Sequence, residues 1–144
     1  MLISNGADTA DIEDIKSIMG QYFRLMDMKR WADLRDVFTD DMVMAAPDDV
    51  AGAAPVVGRD RVVKVISAVL GPAITVHEGQ VLELDFVAAD QARGVWGMRD
   101  TVAYPDDPDR GFRGSGYYLG EYVRTTRGWK ISALTLRRQE LDRG

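Results

Sequence analysis

From residue 9 onward the apolar side chains Ile12, Ile15, Met19, Tyr22 and Met26 recur in alternating steps of three and four. That spacing keeps them on one face of an α-helix, since a turn takes 3.6 residues. Asp8 or Thr9 is placed to cap this helix, and Asp11, Glu13 and Asp14 suit its positive end. Residues 1–8 read as a loose leader ahead of one domain at 9–144. Trp31, Leu34 and Phe38 repeat the helical step and predict a second, shorter helix. Residues 42–46 predict a short strand, and the Pro and Gly positions from 47 to 58 a loop. Val62, Val63, Ile66, Val69 and Leu70 predict a third helix, which Gly71-Pro72 ends.

The period then drops to two. Leu82, Leu84 and Phe86 alternate with Glu83 and Asp85 inside an apolar run from 74 to 86. Trp96, Met98, Val102 and Tyr104 alternate with Arg99, Thr101 and Ala103. Such alternation predicts half-buried strands. The segment PDDPDRG from Pro105 is a polar turn. Residues 112–125 form a long strand that Gly114, Gly116 and Gly120 allow to bend. Arg127-Gly128 turns the chain into a last strand, 129–141. Helices followed by long antiparallel strands predict an α+β fold. A curved sheet closing on the helices would enclose a pocket.

A length of 144 residues permits a substantial core. A net charge of −5 argues against nucleic acid and anionic membrane surfaces as partners. The absence of cysteine excludes thiolate chemistry and Cys-ligated metals. No basic-then-apolar leader opens the chain, and no apolar run nears the roughly 20 residues of a span, so a cytoplasmic protein is expected.

The chain has one histidine, His77, at the head of the first long strand. Imidazole is the one side chain that ordinarily exchanges protons near neutral pH. Asp100 falls on the apolar face of its strand, where a carboxylate is costly unless paired; the alternative is a bulge that turns it outward. Asp27 ends the first helix, where the dipole disfavours an acid, so a specific partner would explain it. The alternative is an exposed acid paired with Lys29 or Arg30. Tyr22 lies on the buried stripe, as core tyrosine or as hydrogen-bond donor. Arg138 shares a face with Leu134 and Leu136. One histidine and scattered acids make no metal site.

Four segments, GQYFRLMDMKRWADL (20–34), VHEG at His77, ARGVWGMRDTV (92–102) and YLGEYVRTTRGWKI (118–131), together resemble the SnoaL-like branch of the nuclear-transport-factor-2-like superfamily. Within it the chain is most similar to the dehydratases, bile acid 7α-dehydratase and scytalone dehydratase among them. The resemblance spans nearly the whole chain. It implies a cone-shaped, curved mixed sheet, an α+β barrel, wrapped around three N-terminal helices. It also implies a cofactor-independent lyase for a hydrophobic ring compound held in an internal pocket, with no metal, and a homodimer or homotrimer. The family's functional positions fall on Tyr22, Asp27, His77, Asp100 and Arg138, with Arg137 as the fallback if the register slips. Met26, Trp96, Met98 and Tyr118 would line the pocket. The chain departs from both dehydratases in lacking a second histidine; Gln80 stands where the bile acid enzyme has it. The superfamily also hosts isomerases, cyclases, dehydrochlorinases and non-catalytic binding modules.

Overall fold

The computed structural model describes residues 2–3, 7–45 and 54–144. The first helix, α1 (Thr9–Asp27), starts where the Asp8 carboxylate accepts the Ala10 amide at 2.9 Å. It buries Ile15, Ile18, Met19, Tyr22, Phe23 and Met26. Helix α2 (Trp31–Arg35) is a single short turn, and α3 (Arg59–Leu70) buries Val62 and Ile66 while Val69 stays half exposed.

Seven strands form one mixed sheet: β1 (Leu2–Ile3), β2 (Phe38–Ala45), β3 (Val56–Val57), β4 (Ile74–Ala88), β5 (Gln91–Ala103), β6 (Phe112–Thr125) and β7 (Gly128–Asp142). Their spatial order is β1-β4-β5-β6-β7-β2-β3. The long strands β4 to β7 run antiparallel, whereas β1 and β2 lie parallel to β4 and β7. Helix α1 packs across β4 and β7, and α3 across β2. The sheet is curved and open, a cone whose described edges are β1 and β3 rather than a closed barrel. Among the described residues, no helix is long and apolar enough to cross a membrane.

Four local readings change. Phe38 does not extend α2; it opens β2 beside Ile131, because β7 offers backbone partners that a one-turn helix lacks. Leu82 does not share a face with Leu84 and Phe86. A bulge between Val81 and Glu83 turns it outward against Gly97, so the buried series runs Thr75, Val81, then Leu84. Within the segment read as a loose leader, Leu2–Ile3 pairs with Glu83–Leu84. Of the expected 47–58 loop, residues 47–53 lie outside the described residues, and Val56–Val57 pairs with Val43–Met44.

Candidate active site

The end of α1 meets the start of β4, and Asp27 makes the junction. Its Oδ1 accepts the Thr75 hydroxyl at 2.9 Å and faces His77 Nδ1 at 2.6 Å, while its Oδ2 accepts the His77 amide at 2.9 Å. These three contacts answer why an acid ends a helix there: β4 supplies donors that outweigh the unfavourable dipole. An ionised carboxylate only accepts, so in a neutral ring this contact favours the Nδ1–H tautomer, which leaves the lone pair on Nε2. The imidazole is 4 % exposed and lies nearly parallel to the Phe23 ring, centroids 6.4 Å apart. Gly79 makes room for Phe23, since a Cβ there would collide with that ring.

Across the β4–β5 ladder His77 stands opposite Asp100. Period-two alternation carries Asp100 inward as the sequence predicts, and it is buried. Arg138 reaches it with both terminal nitrogens, at 3.0 and 2.8 Å, in a forked pair. A bulge between Ser115 and Gly116 sets the β7 register that brings Arg138 to this pair. Arg137, the fallback, is exposed. Gly114 stands opposite Asp100 on β6, and a Cβ there would overlap Arg138 Nη1 and Asp100 Oδ1. Gly114→Ala is therefore expected to break the fork and lower the melting temperature, whereas alanine at exposed Gly20, with open space around it, should cost far less; calorimetry of both variants checks this.

The third pair is Tyr22 and Tyr118, hydroxyls 3.1 Å apart and rings edge to face. Burial pushes the Tyr22 phenol well above its ordinary value, reinforced by Tyr118 and the Asp100 charge. Burial pushes Tyr118 up to about 12, against the Tyr22 hydrogen bond. Burial raises Tyr122 too. Folded-state values above the unfolded value of about 10 mean that these phenols resist ionisation only while the chain is folded. Their stabilisation is whole below pH about 10 and is lost as pH climbs through the folded values. An absorbance titration should show Tyr22, Tyr118 and Tyr122 ionising late, with alkaline unfolding.

Between the pairs lie buried side chains of the core. Met26, Trp96, Met98 and Tyr118, expected to line a pocket, are buried core side chains. Phe23 touches the rings of His77, Trp96 and Tyr118. Trp96 Nε1 and Tyr122 OH are both buried, and the Trp96 side chain eases the Tyr122 phenol downward against the larger upward effect of burial. A concavity of about 580 Å³ lies on the opposite face of the sheet, lined by Gln80, Leu82, Arg99, Ser115, Tyr117 and Glu140 among others. Among the described residues, no three His, Asp or Glu side chains gather as a metal site.

The local pattern did not single out Thr75; it offered Lys29 only as a surface partner of Asp27 and Gly114 only as a place for the strand to bend. Thr75 had a signal: it is polar and shares His77's face by period two. Lys29 Nζ donates to Thr75 Oγ1 at 2.8 Å. Burial lowers that ammonium's pKa and Asp27 opposes the shift.

A family model for the SnoaL-like domain matches residues 7–135. Among solved structures, a protein from Kribbella flavida superposes with a TM-score of 0.82 at 23% identity, over 92% of this chain and 93% of its own. A candidate scytalone dehydratase from Novosphingobium aromaticivorans gives 0.82 at 20% identity, over 94% and 88%. A hexachlorocyclohexane dehydrochlorinase from Novosphingobium barchaimii gives 0.78 at 21% identity, over 92% and 88%. At these identities the likeness establishes a shared fold.

Proposed function

The chain belongs to the SnoaL-like domain family, and from that premise we propose that it is a cofactor-independent lyase for a hydrophobic, cyclic hydroxy-ketone-like molecule. The observation that carries the reading is the 2.6 Å contact between Asp27 Oδ1 and His77 Nδ1. It orients the imidazole and leaves Nε2 as the base. Nε2 removes a proton from the carbon next to the substrate carbonyl. The electron pair moves onto the carbonyl oxygen, which the Tyr22 hydroxyl supports. A phenol held far above its usual pKa remains a donor at neutral pH. The enolate then re-forms the carbonyl and expels the hydroxyl on the next carbon. That hydroxyl takes the proton held on His77 and leaves as water, which restores the base.

Asp100 and Arg138 are engaged with each other across the ladder from the base. Their forked pair occupies both carboxylate oxygens with guanidinium nitrogens, so protonation of the leaving group falls to His77. The same proton abstraction would serve a ketosteroid-isomerase-type shift or loss of halide. The dehydrochlorinase and dehydratase names among structural neighbours show what this fold accommodates elsewhere. The reading is tested by incubating the protein with hydroxylated and halogenated cyclic ketones in heavy water. Deuterium gained next to the carbonyl, or elimination product, supports it. No exchange with any of them, and no ring compound released on denaturation, would sink it.

A second reading, a non-catalytic binding or assembly module, draws on the burial of Tyr22, Trp96 and Met98, which pack in the core around the Asp27–His77 contact. Under the lyase reading a substrate displaces part of this aromatic packing. Such a ligand would quench or shift Trp96 fluorescence in both the native chain and His77→Ala, with chemistry only in the former.

A further inference from the structure

Helix α1 ends in a complete Schellman motif. The Arg30 amide donates to Leu25 O at 2.9 Å and the Lys29 amide to Met26 O at 3.1 Å. The residue at its turning point takes a left-handed conformation, which favours glycine because a Cβ is penalised there. This chain places Lys29 there, with φ 58°, the one non-glycine residue among those described with positive φ. Strain accepted at such a position calls for a return from the side chain.

That return is visible in the hydrogen bonds. The Lys29 ammonium has donors and no acceptor. By donating to Thr75 Oγ1 at 2.8 Å it occupies an acceptor site of that hydroxyl. The hydroxyl's single proton is thereby directed to Asp27 Oδ1, 2.9 Å away. Asp27 then holds three donors from β4 and has no freedom to turn from His77. Thr75 also stands between the ammonium and the carboxylate, so the cation does not take the carboxylate from the imidazole.

We infer that Lys29 and Thr75 are positioning residues, a relay through Asp27 that locks His77 in the Nδ1–H tautomer with Nε2 bare. This rests on the reading of His77 as the base and adds what holds it in that state. It also explains a lysine at a glycine position. Without the relay, Asp27 turns toward Lys29 or solvent, and the ring admits the Nε2–H form, which has no lone pair to offer a substrate proton.

The single histidine makes the test direct, because every imidazole signal belongs to His77. Long-range proton–nitrogen correlation spectra of the ¹⁵N-labelled chain report which ring nitrogen carries the proton. Native protein should show Nδ1–H. Lys29→Gly, which suits the left-handed turn, should melt no lower than native yet show an added Nε2–H population. Thr75→Val should show the same population, and Thr75→Ser, which keeps the hydroxyl, should restore the native pattern. Native tautomer signals in both Lys29→Gly and Thr75→Val would overturn the relay and leave the base reading intact. An Nε2–H ring in the native chain would overturn the base reading itself.

Discussion

His77→Ala is expected to lower turnover by about 10²–10⁴-fold while the chain stays folded, the range a positioned general base contributes. The fold should survive because the backbone amide at position 77 and the Thr75 hydroxyl still serve Asp27. Asp27→Asn should do comparable damage by a different route. Three donors converge on two carboxylate oxygens. An asparagine offers one oxygen and one NH₂, so a donor must face a donor unless His77 Nδ1 becomes the acceptor. The ring proton then moves to Nε2, and the base loses its lone pair. The same logic makes an asparagine costly beside the histidine of serine proteases, where the loss is about 10⁴-fold. Deuterium exchange or elimination rates give the readout, with circular dichroism to confirm folding. A His77→Ala protein as active as native would sink the mechanism.

Much of this site was legible because period and charge disagree at defined places. Asp100 was marked by an acid on an apolar face, and the ladder does carry it inward to a forked cation. Asp27 was marked by an acid at the wrong end of a helix dipole. The pairing of Asp27 with His77 was not legible locally; it came with the family resemblance. The choice between Arg137 and Arg138 hung on a bulge at Ser115–Gly116. The face of Leu82 hung on another at Val81–Glu83. One extra residue inverts every later side chain, and the hydrophobic pattern tolerates either phase over a short run. Lys29 was hidden for a different reason: its role depends on a left-handed backbone that the residue type argues against. Gly114 was read as permission to bend, whereas its lack of a Cβ also leaves space for an ion pair.

Arg138→Met is expected to cost about 3–5 kcal/mol, the usual loss when one member of a buried ion pair is removed. For a chain of this size that is roughly 10–20 °C in melting temperature. The Asp100 and Arg138 side chains are 3% and 13% exposed, so solvent offers Asp100 little replacement for the guanidinium. The arginine also lies over the Phe112 ring at 5.0 Å, a contact methionine keeps only in part. Arg138→Lys should fall between native and Arg138→Met, because an ammonium neutralises Asp100 without the fork. The double variant Asp100→Leu with Arg138→Met should recover much of the loss, since no buried charge is left alone. Thermal melts rank the four proteins, and an Arg138→Met melt equal to native would show that the fork carries no stability. The double variant also separates architecture from chemistry. Asp100 stands opposite His77 in the ladder. If the fork serves only the fold, restored stability brings restored turnover. If its charges shape the field around the base, the double variant regains much of the lost stability and still turns over poorly, and that combination is the expected one.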